Sequence, residues 1–404
     1  MTDLSRFRVS GPLEPFVAGF AGELSRQGYT SNSVRPQIQL VAHLSRWLAR
    51  EDLDAAGLTS PVAEAFLAAR QAAGYARFCS PKALVPLLSY LRGLGEAPAP
   101  APVPVPVTAV ERLLERYRSY LTVERGLAAR TARGYIDLVR PFLTERVSAG
   151  ERDLQDLTAG DVSAFVVDGC RDGRCGSAKA LITALRSLLG FLHVEGLICG
   201  PLVDAVPSVA GWRLAGLPRA LEASQARRLL ASCDRRTMTG RRDFAILTLL
   251  TRLGLRAGEV ATLGLDDVDW RAGEIVVRGK GNRHERLPLP SDVGQAVSAY
   301  LHRGRPSSAE GRCVFVRVNA PHRALSVHGV IAVVIAAGHR AGLGAVGAHR
   351  LRHTAATEML RAGAPLPEIG QVLRHRHLAS TAIYAKVDRE ALRSVAQPWI
   401  GGGA

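Results

Sequence analysis

The stretch DFAILTLLTRLGLRAGEVATLGL, residues 243 to 265, decides how the C-terminal half of this chain is read. It opens with an apolar helical pattern, stops at Gly254, and restarts with Arg256 at the head of a second helix that contains Glu259. Directly downstream, EIVVRGKGNRHERLPLP (274–290) places two strand-like runs on either side of the turn Gly279-Lys280-Gly281-Asn282, the pattern of a β-hairpin. Helices interrupted by one hairpin predict a mainly α fold with a small antiparallel β-sheet in this half.

Upstream, the pattern is helical throughout and divided by proline. In APAPAPVPVPV (97–107) a proline stands at every second position from Pro98 to Pro106. Each ring fixes φ and removes a donor, so the segment is expected to be an extended linker reaching about 30 Å. The regions on either side resemble one another: SVRPQIQLV (33–41) matches TARGYIDLV (131–139), LTSPVAEAF (58–66) matches LTAGDVSAF (157–165), and SPKAL (80–84) matches SAKAL (177–181), in the same order. In the second copy Val110, Leu113, Leu114, Tyr117 and Leu121 recur at helical spacing, with Thr131 a candidate cap for the next helix. In the first, Pro36 is expected in a first turn, where its missing N–H is harmless. Pro207, Gly211, Gly216 and Pro218 mark a second hinge, after which Ser224 opens another helical pattern. The expected divisions are an N-terminal helical module (1–96), a linker (97–107), a second helical module (108–206), a hinge (207–221), a C-terminal domain (222–397) and a flexible tail (398–404).

A chain of 404 residues with 47% hydrophobic and 22% charged positions suits two or three soluble domains. Its net charge of +16 points to a polyanion, and nucleic acid is the leading class because Lys and Arg gain by displacing phosphate counterions. The longest apolar run, VIAVVIAA (330–337), is too short to span a bilayer, and MTDLSRFRVSGPLEPF lacks a signal-peptide core, so no membrane partner and a cytoplasmic location are expected. Six cysteines without a CxxC pair read as inert thiols; Cys170 and Cys175 alone do not make a zinc site.

Several candidate residues have ordinary alternatives. Lys280 is one of only four lysines among 52 basic residues, which suggests a task that guanidinium cannot perform, such as giving up a proton; a solvated turn is the other reading. A phosphate-binding P-loop is excluded, because five residues separate Gly273 from Gly279 and Gly281 stands where Ser or Thr would hold magnesium. In GAHRLRHTAATEML (347–360), His349 shares a helix face with Arg352 and with His353. The two histidines have zinc spacing, but neighbouring arginines oppose a dication and Arg350 stands where a metalloprotease has Glu. Asp266, Asp267 and Asp269 could form a metal cluster, yet read better as a turn. No metal and no cofactor are expected.

In order along the chain stand Arg256, Lys280, His349, Arg352, His375 and Tyr384, in the contexts GLRAGE, GKGNR, HRLRHT and RHRHLASTAIY. This series resembles the signature of the tyrosine recombinase (phage integrase) family, including the nine positions from His375 to Tyr384. The resemblance covers about 108 to 390 and implies two tandem helical DNA-binding modules followed by an integrase-like catalytic domain. It implies Tyr384 as nucleophile, Arg256 and Arg352 as clamps on the phosphate, His349 as acid or base, His375 as a donor to the phosphate and Lys280 as acid for the departing 5′ oxygen. Glu259 would orient Arg256, His353 would be structural, and His377 receives no role. The implied partner is double-stranded DNA, bound by a homo-tetramer or by related protomers on paired sites, in the service of a bacterial mobile element. The family usually has glycine where this chain has Arg374. A type IB topoisomerase and a non-catalytic DNA-binding accessory protein are the alternatives. The reading requires the phenolic oxygen to lie with the arginines and to be reachable.

Overall fold

The computed structural model describes residues 9–99, 108–147, 154–171, 178–208, 220–279, 284–375 and 380–387. Lys280, His377, Cys175, the hinge beyond Ser208 and the tail therefore lie outside the described residues, as does the proline segment beyond Ala99. The chain divides into two compact units, residues 1–101 with 214–404, and residues 102–213. No helix among the described residues is long and apolar enough to cross a membrane.

In the first unit, helices α1 (Val17–Arg26), α2 (Ser31–Arg50), α3 (Ser60–Ala72) and α4 (Pro81–Gly93) close over a core that includes Phe20, Ile38, Leu44 and Phe66. The second unit has the same succession of four helices, α5 (Ala109–Ser119), α6 (Ala129–Arg146), α7 (Ala159–Arg171) and α8 (Ala178–Val194), around Leu113, Tyr117, Ile136, Phe142 and Leu188. Starts at 31, 60 and 81 are answered by starts at 129, 159 and 178. The helix order thus follows the sequence self-similarity. All five residues of the helical stripe Val110 to Leu121 are buried.

Three details of the helix ends differ from expectation. Thr131 lies inside α6, whose N-cap is Ala128. Pro36 falls in the second turn of α2, because the helix begins at Ser31 behind Thr30; the carbonyl it leaves unbonded belongs to exposed Asn32, where water can serve it. Glu222, rather than Ser224, precedes the first residue of the next helix, and its N–H donates to Gln225 Oε1 at 3.1 Å.

The C-terminal part contains α9 (Ala223–Ala231), α10 (Met238–Arg252), α11 (Ala257–Thr262), α12 (Ser291–Arg303), α13 (Val327–Arg340), α14 (Ala348–Arg361) and α15 (Leu366–Val372), then a 3-10 turn (Ala382–Val387). Strands β1 (Val268–Asp269), β2 (Glu274–Arg278) and β3 (His284–Pro288) form an antiparallel sheet in the order β1-β2-β3. The hairpin register runs from Glu274 opposite Pro288 to Arg278 opposite His284, pairing the two runs expected as strands; Lys280, Gly281 and Asn282 of the expected turn lie outside the described residues. Helix α10 is buried along Ala245, Ile246, Leu247, Leu249 and Leu250, nearly all round, as an interior helix must be.

Gly254 ends that helix with φ +58, a left-handed conformation open to glycine at little cost. It redirects the chain so that Arg256 begins α11 beside α14. A Cβ at this position would meet Leu373 Cδ2 at 2.5 Å and Ala355 Cβ at 3.3 Å. Gly254→Ala is expected to lower the unfolding free energy by about 2 to 3 kcal/mol, the sum of left-handed strain and overpacking. Urea denaturation measures it; an unchanged midpoint would contradict the packing described.

Candidate active site

Four segments meet at one cationic corner of the C-terminal part: the head of α11, the first two turns of α14, the end of α15 and the 3-10 turn that carries Tyr384. Glu259 organises the first of these. Its carboxylate reaches back one helical turn, where Oε2 accepts the Arg256 backbone N–H at 2.8 Å and Oε1 accepts Arg256 Nη1 at 2.7 Å. Oε2 also accepts Arg374 Nη2 at 2.8 Å. One buried carboxylate therefore holds two arginines, and Arg256 Nη2 lies 3.5 Å from the Arg374 carbonyl.

Arg352 is held from the other side. Its guanidinium is buried, donating through Nη1 to the Gly254 carbonyl at 2.6 Å and through Nη2 to the Leu373 carbonyl. Burial, reinforced by the Arg256 and Arg374 charges, pushes its pKa down to about 10, which leaves it charged at neutral pH. Two backbone carbonyls supply partial negative charge where no carboxylate touches it.

Arg374 occupies the position where the family expectation was glycine, and it adopts the conformation glycine would, with φ +56. The strained backbone is retained while the side chain turns inward to Glu259 and to the Val372 carbonyl at 2.9 Å. Its Nε has no partner among the described residues. A cavity of about 810 Å³ opens here, lined among others by Arg256, Arg278, Arg374, His375 and Thr381. Gly279 also lines it, so the hairpin arm leading to Lys280 reaches the cavity wall.

The histidines differ in exposure and partners. His349 stands on the exposed first turn of α14, its pKa held below the usual imidazole value by the protein packed around it and by Arg352 and Arg256. His353 sits one turn on, with its ring 4.6 Å from that of His349. His375 Nδ1 pairs with Thr381 Oγ1 at 2.8 Å, and burial with the Arg352, Arg256 and Arg374 charges pushes its pKa down to about 4. His353 is shifted the same way, first by burial and then by His349 and Arg352.

Tyr384 lies within this group. Its Oη is 2.9 Å from His353 Nδ1, and its ring runs parallel to that of His375 with centroids 6.4 Å apart. The neutral form of His353 can accept the phenolic proton at Nδ1. The ring itself fills an apolar recess of Ala356, Ile369 and Leu373 and is only 2% exposed. Burial raises the phenol pKa, opposed by the Arg352 charge. The Arg352 charge acts on Tyr384, but the exposure that the reading requires is missing, because the phenol is covered. His353, expected to be structural, is the side chain that touches it. The spacing of four from His349 was visible in the sequence, but nothing in it pointed to a tyrosine 31 residues on.

The acidic turn is ordinary. Asp266 pairs with Arg312, Asp267 accepts the Gly264 N–H at 2.7 Å and pairs with Arg278, and Asp269 caps the turn at Arg271 and Ala272. Among the described residues no group of three or more His, Cys, Asp or Glu is placed to hold a metal.

Comparison with known proteins agrees with this architecture. The phage integrase family matches residues 219–391, and the N-terminal SAM-like domain of phage integrases matches 114–196. A putative integrase/recombinase of Sinorhizobium fredii, y4rA, is 41% identical over 394 residues, covering 97% of this chain and 95% of that protein. The tyrosine recombinase XerD of Mycobacterium tuberculosis is 34% identical over 304 residues, covering 71% and 96%. Among solved structures, XerH recombinase on its difH substrate is similar with a TM-score of 0.56 at 19% identity, covering 71% of this chain and 84% of that one. A lambda integrase dimer on a core site is similar with a TM-score of 0.54 at 18% identity, covering 72% and 98%; at these identities the likeness concerns the fold. The chain belongs to the phage integrase family and is a tyrosine-type site-specific DNA recombinase.

Proposed function

We propose that Tyr384 attacks a DNA phosphate lodged against Arg256 and Arg352, forming a 3′-phosphotyrosyl bond while the P–O5′ bond breaks and a 5′-hydroxyl leaves. The observation that carries this reading is the pair of arginines anchored from behind, one by Glu259 and one by two carbonyls, beside a tyrosine and three histidines. Attack builds negative charge on the nonbridging oxygens, and fixed guanidiniums stabilise it without reorganising. The bond energy is kept in the phosphotyrosine, so the reverse attack by a 5′-hydroxyl reseals the strand.

An ordinary phenol has a pKa of about 10 and needs a proton acceptor at neutral pH. His353 Nδ1 is already in contact with Oη, so His353 is assigned that role at the start of the reaction, with His349 beside it on the exposed side. His375 is assigned a hydrogen bond to the phosphate, oriented by Thr381. Lys280, on the family resemblance, is assigned the proton that the leaving 5′ oxygen takes up. Because Tyr384 is covered, the attack requires the 3-10 turn to swing the phenol out of its recess when DNA enters. Residues 1–96 and 108–206 are assigned to DNA binding ahead of a catalytic domain at 222–397, with a tetramer on paired sites and a mobile element as the setting.

The test is a nicked suicide duplex incubated with the full chain and resolved under denaturing conditions. Wild type is expected to yield a covalent adduct and Tyr384→Phe none; an adduct of unchanged yield in the Phe variant removes the nucleophile. Supercoil relaxation without recombinant product would favour the topoisomerase alternative. His353→Ala is expected to slow adduct formation about 10²-fold in single turnover, with the loss shrinking as pH rises toward that of the free phenol. An equal loss at every pH would reject the proton-acceptor role.

Glu259→Gln leaves Arg374 buried without its countercharge, and a loss of about 3 kcal/mol is expected by chemical denaturation. Adding Arg374→Gly should restore most of it; no restoration would place the cost elsewhere. A further expectation concerns acid. The folded pKa of His375, about 4, lies below the ordinary value of about 6.5, so the unfolded chain binds more protons in between. The stability this histidine contributes is therefore full above pH 6.5 and lost as pH falls toward 4, and His349 and His353 act in the same direction. Thermal melts of the protein alone should fall across that window, and a flat profile would contradict imidazoles whose pKa values the fold lowers.

A further inference from the structure

The first helical set carries a groove whose chemistry the second set lacks. Helices α2 and α3 enclose a cavity of about 750 Å³, lined by His43, Arg46, Trp47 and Arg50 from α2, by Arg70 from α3 and by Tyr75 from the turn beyond it. Positions 43, 46, 47 and 50 share one face of α2. No carboxylate stands among the described lining residues.

The cations of this groove are arranged in two ways. Arg70 is fixed: its Nη1 donates to His43 Nδ1 at 2.7 Å, its Nε donates to the Arg77 carbonyl at 3.3 Å, and its guanidinium lies 4.1 Å over the Tyr75 ring. The His43 ring meets Tyr75 edge-on at 5.3 Å, completing a stack that leaves Tyr75 45% exposed. Arg46 and Arg50 are exposed, one turn apart on α2, which separates them by about 6 Å along the axis.

Comparison of the two copies separates what the fold needs from what was added. In the register of the matched segments, Phe66 corresponds to Phe165, and each packs on an aromatic of the preceding helix, Trp47 and Phe142 respectively. The apolar packing is therefore kept. The groove residues are not: Arg46, Trp47 and Arg50 correspond to Thr144, Glu145 and Ser148, and Arg70 to Gly169. The second helical set thus forms without basic residues at the positions of Arg46, Arg50 and Arg70.

We propose that this groove is a second DNA-contact site, which takes the sugar–phosphate backbone of duplex DNA. Arg46 and Arg50 meet neighbouring phosphates of one strand, the fixed Arg70 offers its remaining N–H groups to a third, and Tyr75 with the half-buried Trp47 forms the wall against the sugars. Contacts confined to backbone make the site independent of base sequence. The inference rests on the chain's reading as a DNA recombinase, and duplex DNA is the occupant favoured by a lining of cations without anions on a chain of net charge +16.

The test uses the full chain with a random-sequence duplex of about 40 base pairs, followed by fluorescence anisotropy between about 50 and 200 mM salt. Arg46→Ala/Arg50→Ala is expected to reduce the slope of log affinity against log salt by about 2, so that wild type loses roughly tenfold more affinity across that range than the variant. Arg46→Lys/Arg50→Lys keeps both charges and should keep the slope; since both positions are exposed, folding is checked by the melting profile. A wild type that shows salt-dependent binding with an unchanged slope in the Ala pair overturns the groove proposal alone. Self-association altered in the Ala pair, with DNA binding intact, assigns the groove to a protein partner and also overturns it. A wild type whose DNA affinity ignores salt overturns the DNA reading together with the groove.

Discussion

The candidate site depends on keeping three guanidiniums close together without a substrate to neutralise them. At an effective dielectric of about 20, like charges a few ångströms apart repel by several kcal/mol, so each arginine needs a partner that stays in place. Glu259 serves Arg256 and Arg374 at once, and the Gly254 and Leu373 carbonyls serve Arg352. Gly254 is common to both arrangements: its left-handed turn starts α11 with Arg256 and presents the carbonyl that Arg352 needs. The arginines are thus held by the protein itself, and Arg256 and Arg374 together with Glu259 line the cavity.

The same constraint explains the state of the tyrosine. A phenol left in water beside these cations would be ionised more readily than one packed among Ala356, Ile369 and Leu373. Burial keeps it protonated, and the contact with His353 gives the buried hydroxyl a partner. Under the proposed mechanism, Tyr384 is held neutral in this recess and reacts only once the turn that carries it moves.

Much of this was legible in the sequence because the chemistry sits at helix heads and turns, where residue type and position are tightly linked. The stop at Gly254, Arg256 opening α11, Glu259 one turn on and the two strands of the hairpin all follow from local patterns. What escaped depended on contacts between distant segments. Periodicity identifies which face of α14 is inward but not that His353 meets Tyr384, and the family resemblance gave His353 only a structural place. Arg374 was legible as a departure from glycine, while its inward turn to Glu259, 115 residues away, was not. β1 is two residues long, below any periodic signal, and exists only because Val268 and Asp269 find β2 beside them. Pro36 was placed a turn too early because Ser31 and Asn32 were not recognised as helical.

The central claim, that the cationic corner serves the oxygen of Tyr384, is tested most directly by locating the covalent bond. Trypsin cuts after Arg376 and Lys386, releasing HLASTAIYAK with Tyr384 as its one tyrosine. Mass spectrometry of the digested suicide-substrate adduct should find the nucleotide remnant on that peptide, with fragment ions placing it on Tyr384. A remnant on Ser380, Thr381 or any other peptide would contradict the account.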